Sequence, residues 1–185
     1  MNREVRIRRA DSARAYSLYE LVMTLGMVSL VVTLGVPSFA DLVANHRLRV
    51  EVDRLFHAVH LARKESVVRR RVVTLCPSPD GVDCAPGGEW AGGWMLFVNR
   101  DRDLPARRDA DELLIRRENI DPGVRIVSNR DSYSLRSTEL RATNGTLVFC
   151  SRSGRGTPRA LVISYTGRPR VAYKDSRGRP YVCPD

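Results

Sequence analysis

The chain has 185 residues, 43% of them hydrophobic, and carries 31 Lys+Arg against 21 Asp+Glu for a formal net charge of +10. That is one domain's worth of length with enough apolar residues for a core, which excludes a large multidomain enzyme and a globally disordered chain. The charge points to an acidic partner, either nucleic acid or an anionic membrane surface, and says nothing about fold. The basic residues are arginines except for Lys64 and Lys174. Guanidinium groups suit bidentate phosphate contacts, although arginine-rich usage also follows from a GC-rich genome.

Residues 1–15 place five arginines (Arg3, Arg6, Arg8, Arg9 and Arg14) against Glu4 and Asp11, a net of +3. Twenty uncharged residues follow, from Leu21 to Ala40. As a helix they span about 30 Å, the thickness of a bilayer's hydrocarbon core. Arginines before the span and export after it agree with the positive-inside rule. An ordinary secretory signal would put a small-x-small site after the apolar run. Here the small residues Ser12, Ala13 and Ala15 come before it. Glu20 stands at the start of the span, where a carboxylate is costly unless paired.

From Asp41 to about Arg71 the apolar residues Leu48, Val52, Leu55, Val59 and Ala62 step by four and three, which predicts one apolar stripe on a helix continuing into a head. Arg69-Arg70-Arg71 suits the negative end of its dipole and reads as a solvated cap, with DNA contact as the alternative. His57 and His60 share a helix face, but no acid or cysteine joins them into a metal site. Short β-like runs then alternate with turn residues. Strands are predicted over 71–75, 94–98, 113–117, 124–127, 146–149, 161–165 and 169–173. The fold class is therefore α+β, a long N-terminal helix packed on antiparallel sheet. Asp101, Asp103, Asp109 and Glu112 match four ligand positions of a calcium loop. Ala106 stands where that loop needs glycine, and arginines offset the acids, so an acidic surface loop with internal ion pairs is the reading.

Cys76, Cys84, Cys150 and Cys183 form no CxxC pair, which argues against a zinc ribbon or a thioredoxin-like site. An even count in an exported domain reads as disulfides, with three connectivities open. The local one, Cys76 with Cys84 and Cys150 with Cys183, is preferred because Pro77, Pro79, Gly81 and Asp83 make the first interval a compact turn. The segment 150–185 carries eight basic residues against Asp175 and Asp185, a net of +6. That density suits phosphate neutralisation. In Arg168-Pro169-Arg170 an extended backbone would put both guanidiniums on one side, roughly 7 Å apart, matching two neighbouring phosphates without reading bases. Gly167, Lys174, Arg177, Arg179 and Arg159 complete the candidate DNA-binding set. Tyr165, Tyr173 and Tyr181 are read as core or strand-face residues, with base stacking as the alternative. No hydrolase elbow or phosphate loop is present in the sequence.

Three stretches carry a family resemblance. Ala15-Tyr16-Ser17-Leu18-Tyr19-Glu20-Leu21-Val22 resembles the processing site of type IV pilins and pseudopilins. The resemblance implies cleavage by a prepilin peptidase between Ala15 and Tyr16 and N-methylation of Tyr16. It makes Glu20 the fifth mature residue, its carboxylate paired with the N-terminal amine of a neighbouring subunit. Ala15 replaces the usual glycine and Tyr19 a common isoleucine, while Pro37 matches the proline that bends the pilin helix. Trp90-Ala91-Gly92-Gly93-Trp94-Met95-Leu96-Phe97-Val98 and the acidic run after it resemble the FimT/GspH group. Thr166-Gly167-Arg168-Pro169-Arg170-Val171 occupies the place of the Gly-Arg-x-Arg signature of FimT-type minor pilins, associated there with DNA binding in natural transformation. The resemblance implies residues 1–15 as a leader, 16–40 as a transmembrane and assembly segment, and 41–185 as a periplasmic head. Its partners would be DNA, other pilins, the prepilin peptidase and inner-membrane lipid, with no catalytic residue, metal or cofactor. The alternative is a GspH-like pseudopilin of type II secretion, or a minor pilin that acts only in pilus assembly.

Overall fold

The computed structural model describes residues 17–85, 87, 90, 92–136 and 141–184. Ala15 and Tyr16, the expected cleavage point, lie outside the described residues. The chain forms two compact units, Met1–Phe39 and Ala40–Asp185. Helix α1 (Leu18–Arg69) begins in the first and ends in the second, running through Pro37.

In the first unit Ser17 caps the helix, its hydroxyl accepting the Glu20 N–H at 3.2 Å. This is half of a capping box, with serine and glutamate three apart. The apolar part of α1 is long and hydrophobic enough to cross a membrane and buries none of its surface within the chain. Its hydroxyls make no demand on an apolar solvent. Thr24 donates to the Leu21 carbonyl, Ser29 to Leu25 and Thr33 to Ser29, all between 2.8 and 2.9 Å. These three hydroxyls are thus satisfied within the helix, as a lipid environment requires.

In the second unit the predicted stripe is the core. Leu48, Val52, Leu55, Val59 and Ala62 are each at most 2% exposed. Arg70 adopts a left-handed φ of 53° and stops the helix. Among the described residues eight strands follow: β1 (Val72–Pro77), β2 (Gly93–Asn99), β3 (Leu114–Asn119), β4 (Val124–Ser128), β5 (Tyr133–Leu135), β6 (Gly145–Ser151), β7 (Arg159–Ile163) and β8 (Pro169–Ala172). They make two antiparallel sheets ordered β3-β2-β1-β5 and β4-β6-β7-β8. Both sheets contribute to one core with the helix: Val73, Leu75 and Leu96 from the first, Ile126, Phe149 and Leu161 from the second. Tyr133 of β5 donates to or accepts from Ser128 of β4 at 2.8 Å, joining the sheets across the core. Burial pushes its phenol up to about 12.

In the first sheet β1, β2 and β5 are buried along their whole length, while the edge strand β3 is half-exposed. Cys76, Met95 and Phe97 point away from the helix into a second small core closed by Ala106, Cys84 and Leu114. The Cys76–Cys84 bond fastens part of that cover. Burial on both faces explains why β1 and β2 read as unbroken apolar runs rather than alternating ones. The seven predicted strands are present, with ends shifted by a residue or two; β5 was not predicted. It has three residues, two of its flanks are polar, and its Ser134 is paid for by a hydrogen bond to Thr74 at 3.0 Å.

The acidic segment after β2 is a largely exposed loop with an internal ion pair, Arg100 to Asp111 at 3.2 Å, as expected, but one of its acids is not on the surface. Glu112 is buried, and its carboxylate accepts the backbone N–H groups of Arg100 and Asp109. Asp103 accepts those of Arg107 and the Asn99 amide. The carboxylates fold the loop by serving its own donors, and among the described residues no group of acids, histidines or cysteines is placed to hold a metal ion. His57 and His60 are exposed and flank Phe56 edge-on.

Glu51 is the buried acid of the helix, 1% exposed. One oxygen accepts Arg54 at 3.0 Å and the Asp121 N–H at 3.2 Å, tying α1 to the β3–β4 turn. Desolvation raises its pKa, against the Asp121 hydrogen bond and the Arg54 charge. A carboxyl raised in the folded state favours folding when protonated, and that contribution is lost as the pH rises through the folded value. Raising the pH from about 4 towards 7 should therefore lower the thermal midpoint of the parent relative to Glu51→Gln. The opposite trend would mean that Asp121 and Arg54 outweigh burial. A second expectation concerns Cys150–Cys183, whose closed loop spans 33 residues. Cys150→Ser with Cys183→Ser should lower the unfolding free energy by about 3–4 kcal/mol. Denaturant titration of the two forms checks this.

Candidate nucleic-acid interface

The second sheet presents one face to the helix and one outward. Leu147, Leu161 and Val171 lie in register on the inner face. Thr146, Val162 and Arg170 lie in register on the outer one, because successive side chains alternate. Cys150 also points outward, and its bond to Cys183 draws the C-terminal segment across this face. Ala160 and Ala172 are buried there as a result.

The Gly-Arg-x-Arg stretch is the turn and return strand of the β7–β8 hairpin. The Gly167 N–H donates to the Ser164 carbonyl at 2.8 Å, and the Ser164 N–H to the Arg168 carbonyl at 3.1 Å. Gly167 takes a φ of +71°, and a Cβ there would meet Ala142 only at ordinary contact distance, 3.4 Å. Glycine is thus needed for the backbone rather than for space. The Arg168 N–H donates to the Ser164 hydroxyl, and the Tyr165 carbonyl accepts the Ala142 N–H, so the turn is held from both sides. Arg168 and Arg170 are exposed around half-buried Pro169. By alternation they project to the same outer side, about 7 Å apart along the strand.

The other candidate cations divide into three situations. Lys174 and Arg177 are exposed, with Lys174 in an isolated bridge to Pro180. Arg179 is committed to Asp175, its side chain 2.8 Å from the carboxylate. Asp175 also accepts the N–H groups of Arg179 and Arg177, and the first of these leads the causes that hold its carboxyl below the ordinary range. The Asp-x-Arg-x-Arg spacing of an Asx turn was the signal for this. Arg159 lies in register with Phe149 on the other face of the sheet, half-buried, with its guanidinium 5.7 Å from the Tyr173 ring. Among the described residues, Arg155 and Arg179 are the tail arginines that meet a carboxylate, Arg155 reaching Asp41 at 3.4 Å.

The tail tyrosines lie outside the core, Tyr181 half-buried. Tyr165 is 62% exposed and Tyr173 53%. Arg141, which the sequence reading did not single out, sits 5.9 Å from the Tyr165 ring. No spacing in the sequence pointed to it, because the β5–β6 connection delivers it. The resulting surface has exposed guanidiniums on the outer side of a rigid hairpin and arginine-faced Tyr165 at its turn, while Tyr173 and Arg159 lie on the opposite face. It can neutralise anions and stack planar groups.

A family model described as type II transport protein GspH matches residues 51–167, more than half of the chain. No curated protein sequence matches. Among solved structures, the type IV minor pilin FimU of Pseudomonas aeruginosa (strain PAO1) is similar in two crystal forms. One gives a TM-score of 0.51 at 18% identity, covering 75% of this chain and 96% of that one. The other gives 0.49 at 18% identity, with 67% and 91% covered. The minor pseudopilin EpsH from the type 2 secretion system of Vibrio cholerae gives 0.48 at 9% identity, with 68% and 96% covered. The similarity to FimU at 0.51 is one of fold, a long helix on antiparallel sheet. The family match ends at Gly167, one residue before Arg168. The chain belongs to the GspH family of type II transport proteins, pilin-like in fold and structural rather than enzymatic in kind.

Proposed function

We propose that this protein is a minor type IV pilin that captures DNA without sequence preference for uptake in natural transformation. Residues 1–15 are its leader, removed by a prepilin peptidase between Ala15 and Tyr16. Residues 16–40 anchor it in the inner membrane before assembly, with Glu20 pairing to the amine of a neighbouring subunit. Residues 41–185 are the head, first periplasmic and then carried in the pilus.

The single observation supporting DNA capture is the pair Arg168 and Arg170. Both are exposed, both face outward from a braced hairpin, and neither meets a carboxylate among the described residues. Two unpaired guanidiniums at this spacing suit consecutive phosphates, and Lys174 and Arg177 extend the same charge. Such contacts position a backbone and read no bases. Pro169 fixes one φ between the two arginines, which lowers the entropy lost on binding. Arg179 and Arg159 serve the site indirectly, one by closing the turn at Asp175 and one by supporting Tyr173. The rival reading, a GspH-like pseudopilin or a pilin that acts only in assembly, is favoured by the family match itself, whose span stops short of both arginines.

The test titrates full-length protein in neutral-lipid nanodiscs with duplex DNA at several salt concentrations. Affinity should fall as salt rises, and Arg168→Ala with Arg170→Ala should reduce the log–log slope by about two. Binding unchanged in the double variant would leave general basic charge as the only attraction. Absence of binding at low salt would favour the pseudopilin reading.

A further inference from the structure

A groove of about 580 Å³ lies on the outer face of the second sheet, beside the arginine pair. Its floor is apolar, made by Val127, Val148 and Val162 from three neighbouring strands. Tyr181 and Pro184 of the C-terminal segment form its far wall, and Arg170 lines the near side. The wall stands where it does because Cys183 is bonded to Cys150 across the sheet. Its volume is in the range that buries a small organic ligand. Asn129 and Thr146 line it as well. The Asn129 carbonyl is occupied by the Thr146 N–H, which leaves the amide donors and the Thr146 hydroxyl to meet a planar polar edge.

We propose that this groove takes an unstacked nucleobase, so that the arginine hairpin holds single-stranded DNA or a frayed end more tightly than an intact duplex. The inference rests on the reading of Arg168 and Arg170 as a phosphate site. Arg170 is shared by both features: its backbone is the return strand of the hairpin and its side chain borders the groove. A strand whose phosphates lie along Arg168 and Arg170 therefore has its bases within reach of the valine floor. A base in a duplex is stacked and paired and cannot enter, whereas a single strand turns its bases out at low cost. Tyr181 supplies the aromatic wall, and exposed Tyr165, faced by the Arg141 guanidinium, offers a further stacking surface at the hairpin turn. Phosphate charge and base stacking together are the usual chemistry of sequence-tolerant single-strand binding. Ser128, Asp175 and Ser176 also line the groove, the Asp175 carboxylate being held by Arg179.

The test compares three fluorescent oligonucleotides of one length on full-length protein in neutral-lipid nanodiscs: a mixed-sequence single strand, the same strand made abasic throughout, and a duplex. The natural strand should bind about tenfold more tightly than the abasic one, which carries the same phosphates without the bases. Val162→Phe and Val148→Phe each fill the groove from its floor. Both should erase that tenfold gain and leave duplex binding unchanged, which also reports that the hairpin is intact. Equal binding of the natural and abasic strands, lost together in Arg168→Ala/Arg170→Ala, would overturn the base site and leave the phosphate site standing. A base-dependent gain that survives either phenylalanine with duplex binding intact would overturn it too. Binding of none of the three at low salt would remove the phosphate site and the groove proposal with it.

Discussion

Both sheets of the head close on the same strip of helix, and little else in the unit could stand without it. Leu48, Val52, Leu55, Val59 and Ala62 are all but fully buried, and each sheet turns its inner face to them. A helix of this kind gains its stability from the apolar face it buries rather than from propensity. The sheets are linked to each other through Tyr133 and Ser128, and to the helix through Glu51 and Asn45, whose side-chain oxygens accept the backbone N–H groups of Asp121 and Thr157. Those polar ties fix which turn meets which part of the helix, while the stripe supplies the burial. The inner faces of both sheets are committed to this core.

The two outer faces are spent differently. The first sheet's is closed by the loops that carry Cys84 and Ala106, giving a second core. The second sheet's is crossed by the C-terminal segment, which is pinned at Cys150 and leaves a groove beside it. The two disulfides thus do opposite work, one helping to seal a face and the other holding a face partly open. The charge follows the same division. Near the helix, Arg47 reaches Asp121 and Arg54 reaches Glu51, and the acids of the loop after the second strand are occupied with backbone donors. The hairpin arginines have no such neighbour among the described residues.

The helix and most strands were legible in the sequence because period and punctuation agree there. The step of four and three from Leu48 to Ala62 is a helical period with no competing pattern, and Asn144-Gly145 and Pro122-Gly123 mark turns beside the strands they bound. The strand at Tyr133–Leu135 was not legible, since three residues cannot show alternation and its serine is satisfied only by Thr74, distant in sequence. Glu112 reads as one acid of a charged run, yet it is buried, because the loop's own N–H groups compensate its charge. In the candidate site, Arg168, Arg170 and Gly167 stood out by pattern. Composition could not separate Arg170 from Arg159: both add to the basic count, but pairing register sends them to opposite faces. The groove had no sequence signal, since three strands and a disulfide-held segment build it together.

Hydrogen exchange on the full-length protein in neutral-lipid nanodiscs, with and without duplex DNA, tests most directly that the outer face of the β7–β8 hairpin is where DNA is held. The account predicts slower exchange on adding DNA for amides from Ser164 to Tyr181, with the first sheet and the buried part of the helix unchanged. Protection that appears instead at Arg69–Arg71, or at the loop after the second strand, with the hairpin unaltered, would contradict it.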